Sequence, residues 1–160
     1  MKKSVHEYLR SCGVRPSVQR VAIMDYLLLH RTHPTAEEIY CALAPRMPTL
    51  SKMTVYNTLN TFVDAGAIHA VDIDAARRHF DGDTSLHAHF MCKNCGAIMD
   101  VAIKKKDRMM GRLPENVRVD DVQLLYKGLC NQCLTNKKCF NHEKVSLQCL
   151  WIYPRRRCRS

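Results

Sequence analysis

Residues 87–100 read HAHFMCKNCGAIMD and place two kinds of metal-binding side chain within fourteen positions. On a strand, His87 and His89 share a face, because side chains there repeat every second residue. Cys92 and Cys95 have the spacing of a metal-binding turn. Thiolates favour zinc, whereas imidazole with carboxylate suits iron, manganese or zinc. A second Cys-x-x-Cys, formed by Cys130 and Cys133, is separated from the first by 34 residues. Four thiolates complete a tetrahedron with no open position, so this set predicts a structural zinc whose binding energy becomes folding energy. A dithiol redox pair is the competing reading, but the chain shows no thioredoxin-like βαβ context.

Further nitrogen and oxygen ligands lie outside this stretch. His33 precedes a proline in a loop between two helices, and Asp81 follows the second of two short strands, in a hinge. With His87, His89 and Asp100 they give five ligands, drawn from both halves of the chain, for one divalent cation that would bring those halves together. His6, His30, His69 and His142 are read as ordinary surface or core histidines.

The elements that must carry these residues follow from composition and pattern. The chain has 160 residues, 46% of them hydrophobic, enough for one domain or two small ones. Its net charge of +10 points to an anionic partner, nucleic acid first, with a solvated basic surface as the alternative. No apolar run can span a bilayer, and the opening residues lack the apolar core of a signal peptide. A cytoplasmic location is expected, where thiols stay reduced and nine cysteines imply metal or redox work.

Ser4-x-x-Glu7 is a capping box that opens a helix stopped by Gly13. A second helix is expected from Ser17 to about Thr32, burying Ala22, Ile23, Tyr26, Leu27 and Leu29. Thr35-x-x-Glu38 opens a short third helix, closed by Pro45 and Pro48. Ser51 caps a fourth that ends near Gly66, with Val55, Leu59, Phe62 and Val63 inward. Lys52, Tyr56, Asn57 and Asn60 then face outward, as on a helix that reads the major groove, or on an ordinary solvated face. Two short strands at 68–73 and 78–80 complete a winged helix, with Arg77 and Arg78 placed for phosphates and Arg15 and Arg20 flanking the second helix. In the second half, strands are expected at 87–92 and 97–103 and a basic helix at 104–113. A long strand should then run from Val117 past Tyr126 and through Gly128 into Cys130-x-x-Cys133, with a bulge near Asp120 and Asp121.

Thr-His-Pro-Thr-Ala at 32–36, Ser-Lys-Met-Thr-Val-Tyr at 51–56, His-x-His-x-x-Cys-x-x-Cys at 87–95 and Gly-x-Cys-x-x-Cys at 128–133 occur in that order. Together they resemble the ferric uptake regulator family, over about residues 5–135. The details resemble its peroxide-sensing branch. Asn57 follows Val-Tyr where iron-uptake members usually carry Arg, and positions 81 and 100 are Asp where those members tend to have Glu. Leu86 and Ala88 replace an extra His and Asp, and Asp121-Val122 stands where a further metal-site histidine is often found, so a third metal site is not expected.

The resemblance implies an α+β chain: an N-terminal winged helix-turn-helix DNA-binding domain (1–80), a hinge (81–86), and a C-terminal α/β dimerisation domain with an antiparallel sheet (87–135). Residues 136–160 form a basic, cysteine-containing tail outside the pattern, expected to be disordered. It implies a homodimeric repressor, not an enzyme, that binds double-stranded palindromic operator DNA. Zn²⁺ would sit at Cys92, Cys95, Cys130 and Cys133, and regulatory Fe²⁺ or Mn²⁺ at His33, Asp81, His87, His89 and Asp100. Peroxide would oxidise His33 and His87. The candidate DNA contacts are Arg15, Arg20, Ser51, Lys52, Thr54, Tyr56, Asn57 and Arg77. The alternative within the fold is a repressor of iron acquisition genes that answers to iron or haem, although no Cys-Pro dipeptide supports haem. A different class would be a zinc-dependent thiol enzyme using Cys139, Cys149 or Cys158.

Overall fold

Side-chain caps fix where the first four helices begin. Ser4, Ser17, Thr35 and Ser51 each accept a hydrogen bond from the backbone N–H three residues on, and Glu7 and Glu38 return the bond to Ser4 and Thr35. The helices they open are α1 (Val5–Ser11), α2 (Val18–Leu29), α3 (Ala36–Leu43) and α4 (Lys52–Asp64). The computed structural model describes residues 4–74, 77–103, 114–119 and 122–135. These fall into two compact units that part between Thr84 and Ser85.

In the first unit, α1–α4 are followed by the antiparallel pair β1 (His69–Asp74) and β2 (Arg77–Asp81). The core joins the four helices, β2 and the residue just before β1, with Leu9, Ile23, Leu27, Ile39, Val55, Leu59, Phe62, Ile68 and Phe80 buried. Helix α2 ends at Leu29, short of the expected Thr32. The reason is local: the residue before a proline disfavours helix, and His33, before Pro34, has a φ of 51°. Leu29 is 78% exposed and Met24 takes the core position expected of it, because the buried stripe of α2 runs through 23, 24 and 27.

The second unit is a three-stranded sheet in the order β4-β3-β5, made of β3 (Ala88–Cys92), β4 (Ile98–Val101) and β5 (Leu124–Gly128). The expected antiparallel pairing is that of β3 with β4, whereas β5 runs parallel to β3. A short helix, α5 (Asn131–Leu134), follows. The long strand expected from Val117 is not formed. Strand β3 offers partners from Ala88 to Cys92 only, so the parallel ladder starts at Leu124 and Val117, Val119 and Val122 stay outside it, exposed. The expected bulge at 120–121, the basic helix at 104–113 and the tail from 136 lie outside the described residues. Among the described residues no helix is long and apolar enough to cross a membrane.

Candidate metal centres and DNA-reading helix

Two secondary-structure ends bring the four cysteines together. Cys92 closes β3, and the turn to Cys95 is tied by Gly96 N–H to the Cys92 carbonyl (2.9 Å) and Cys92 N–H to the Ala97 carbonyl (2.9 Å). Gly96 sits at φ 71°, which a side chain would resist. Cys130 caps α5 and Cys133 lies one turn on. Lys93 N–H bonds the Gly128 carbonyl at 2.7 Å, so the β3–β5 pairing carries the two Cys-x-x-Cys segments side by side.

The sulfur atoms lie within 4.8 Å of one another, with Cys92 to Cys133 at 3.6 Å and Cys95 to Cys130 at 3.8 Å. Two thiolates each about 2.3 Å from a tetrahedral zinc stand about 3.8 Å apart, so the donor set fits that ion. Burial pushes the Cys92 thiol up, but backbone N–H groups of Cys130, Cys95 and Asn94 outweigh it and bring it down to about 6. The Cys130 N–H is 3.3 Å from its sulfur. Burial raises Cys95 to about 11. One thiolate is thus preformed, and the Asn94 amide, 3.2 Å from the Cys133 sulfur, supports a second ligand.

The other predicted ligands form one group in each unit. In the first, His33 Nε2 is 3.6 Å from Asp81 Oδ2, and both side chains are at most 5% exposed. Asp81 is the last residue of β2, and its Oδ1 accepts the Asp83 N–H at 2.9 Å, which leaves Oδ2 toward His33. In the second, His87 and His89 meet through Nε2 atoms 3.0 Å apart, as alternation along a strand requires. Asp100 lies directly opposite His89 in the β3–β4 register, its Oδ1 3.6 Å from His87 Nε2 and 3.8 Å from His89 Nε2. His87 Nδ1–H donates to the Ser85 carbonyl at 2.7 Å, which leaves the Nε2 lone pair for a ligand. Ligands about 2.1 Å from a common ion stand about 3.0 Å apart at right angles and about 3.6 Å apart at 120°. Each group therefore has the spacing and the donor chemistry of one side of a metal site.

Sequence reasoning missed the outer partners. Ser85 and Asp83 act through backbone groups, which no residue type announces. His79 donates Nδ1–H to the His33 carbonyl at 2.7 Å, from a strand position read only as part of a wing.

Helix α4 presents Lys52, Tyr56, Asn57 and Asn60 to solvent, while Val55, Thr58, Leu59 and Phe62 are buried. Ser51 and Thr54 face each other across the cap, 2.8 Å apart. Lys52 Nζ pairs with Glu37 of α3 at 3.1 Å and lies over the Tyr40 ring. Arg78 bonds Asn60 at 3.3 Å, Arg20 reaches the Arg15 carbonyl at 2.9 Å, and Arg77 is exposed.

Four helices with a two-stranded ribbon, followed by a sheet unit rich in metal ligands, define a regulator built on a winged helix-turn-helix. The sequence model of the ferric uptake regulator family matches residues 11–127, and the chain belongs to that family. Members of the family are dimeric DNA-binding regulators of transcription, so the chain is a regulator and not an enzyme. It is 38% identical over 128 residues to the peroxide-responsive repressor PerR of Staphylococcus epidermidis, covering 78% of this chain and 85% of that one. The same identity and length relate it to PerR of Staphylococcus aureus strain USA300, with 86% of that chain covered. Among solved structures, the ferric uptake regulator of Vibrio cholerae superposes with a TM-score of 0.60 at 24% identity, over 78% of this chain and 98% of that one. A zinc-bound manganese uptake regulator gives 0.58 at 25%, over 80% and 99%.

Proposed function

We propose that this chain is a metal-dependent transcriptional repressor whose regulatory site senses hydrogen peroxide. One observation carries the reading: two ligand groups, His33 with Asp81 and His87 with His89 and Asp100, each spaced for a shared ion and each using aspartate as its carboxylate. The identity to peroxide-responsive repressors supports it.

Zn²⁺ held by Cys92, Cys95, Cys130 and Cys133 is structural, because four thiolates leave it no open position. Fe²⁺ or Mn²⁺ taken up by the five nitrogen and oxygen ligands favours the conformer that binds DNA, provided that conformer binds the ion more tightly than the alternatives. Two winged helices of a homodimer then meet a palindromic operator with half-sites about one helical turn apart. Lys52, Tyr56 and Asn57 reach base edges or phosphates, Ser51 and Thr54 sit at the helix end, and Arg15, Arg20 and Arg77 contact the backbone.

Bound Fe²⁺ would activate peroxide beside its ligands with no net change of its own, the ring being the two-electron reductant and one peroxide being used for each ring. His33 and His87 take up the product: the imidazole C2–H is replaced by C–O, and the second peroxide oxygen leaves as water. An oxidised ring is a poor ligand, so the clasp opens and the operator is released. Mn²⁺ supports repression without this chemistry.

The test is to expose the Fe²⁺ form to peroxide and map added oxygen by peptide mass spectrometry while following DNA binding. Oxygen on His33 or His87 with loss of binding is expected. Unmodified histidines with binding retained would overturn the peroxide reading and leave a repressor that answers to iron or haem.

A further inference from the structure

His33 is held in an uncommon backbone conformation. Its φ of 51° lies in the left-handed region, which non-glycine residues visit rarely, and it directly precedes a proline. Strand β2 meets the three residues from here in turn. The Phe80 N–H bonds the Pro34 carbonyl at 3.0 Å, Thr35 forms an isolated bridge with His79, and the His79 ring bonds the His33 carbonyl at 2.7 Å. The first two contacts are backbone pairings and survive any side chain at position 79. The third depends on a donor at Nδ1.

His79 and Asp81 are two apart on β2 and therefore share one face. That face touches His33 at two points, its carbonyl through His79 and its ring through Asp81. We propose that His79 is a positioning residue that fixes the backbone of His33 so that its ring presents Nε2 beside Asp81. Without the donor, the buried His33 carbonyl loses this partner, and residue 33 relaxes toward ordinary negative φ. That rotation turns its Cα–Cβ bond away from Asp81. The proposal rests on the reading of His33 as a metal ligand and adds a residue of this chain that orients it.

An isosteric pair of substitutions separates orientation from packing. Asparagine carries an amide nitrogen as many bonds from the backbone as His79 Nδ1, and leucine puts a methyl group there with no donor. Mn²⁺ binding by the full chain, followed through the free-ion electron paramagnetic resonance signal, is expected to weaken about 10–100-fold in H79L, the range for lost outer-shell partners. H79N should recover most of that loss. Unchanged binding in H79L, or equal loss in both variants, overturns the proposal. The control is H33A: if it binds Mn²⁺ as the unsubstituted chain does, the reading of His33 as a ligand fails, independently of His79. A second readout needs no substitution. Nitrogen-15 shifts of the His79 ring must report a proton on Nδ1, and a neutral ring protonated on Nε2 alone would overturn the assignment.

Discussion

Replacing Cys133 by serine removes one of four sulfur ligands and tests how the second unit is held together. Its described residues bury little apolar surface: only Ala88, His89, Cys92 and Cys95 are buried, and two of these are the sulfur ligands themselves. Burying one alanine methyl contributes about 1 kcal/mol or less. Zinc in a small structural site contributes about 10–16 kcal/mol at neutral pH. The metal term is therefore larger by about a factor of ten, and β3 and β5 are joined at the end where it acts. The first unit has its own core of fourteen buried residues and no share in the cysteine cluster. In Cys133→Ser, hydrogen exchange should accelerate to the unfolded rate across 88–92 and 124–128 while α2 and α4 keep their protection. Zinc content should fall to zero. A variant that loses zinc yet keeps protection in both strands would refute the reasoning, because other contacts would then hold the sheet.

Lengthening one carboxylate, Asp100→Glu, should leave Mn²⁺-dependent DNA binding in place and lower oxygen uptake at His87 by at least about tenfold; unchanged uptake in the mass spectrum would remove Asp100 from the reactive set. The proposed DNA contact requires Lys52 to exchange Glu37 for a phosphate, so Lys52→Gln should reduce the slope of log affinity against log salt by about 1; an unchanged slope would show that Lys52 makes no phosphate contact. The Tyr8 hydroxyl donates to the carbonyl of buried Ala67 at 2.8 Å. Tyr8→Phe should therefore cost about 1 kcal/mol and lower the melting midpoint of the first unit by about 4–8 °C, read by calorimetry. The Cys92 thiol is lowered to about 6, so its thiolate advantage is complete above its ordinary value near 9 and vanishes as the pH falls through about 6. The affinity of the site for zinc should therefore lose about a further factor of ten for each pH unit below about 6, where Cys92 must first give up a proton, as competition with a colorimetric chelator would record; an affinity whose slope against pH does not steepen there would contradict this.

Local chemistry was legible in the sequence and long-range pairing was not. The capping boxes at Ser4 and Thr35 formed as read because their partners lie three residues apart. The spacing of His87 and His89 follows from strand geometry alone and each Cys-x-x-Cys from its own turn, whereas the joining of the two pairs was legible only through the zinc chemistry of four thiolates, not through the strand pairing that carries it. The parallel docking of β5 depends on where β3 ends, a fact held elsewhere in the chain, so the apolar alternation at Val117 and Val119 misled. The end of α2 was read too late because nothing in the types of His30, Arg31 and Thr32 stops a helix, while the left-handed His33 that the loop must accommodate leaves no hydrophobic signature. His79 carried no signal because its partner is a backbone carbonyl 46 residues away.

Under the proposed function, the ligand groups of the two units serve one ion. Titrating Mn²⁺ into the full chain, and into H33A and H87A, tests it most directly, with bound ion counted per chain. One Mn²⁺ per chain, tight binding lost in either variant, and no binding left over when both are combined are the expected results. Two independent sites, each removed by only one of the substitutions, would contradict it.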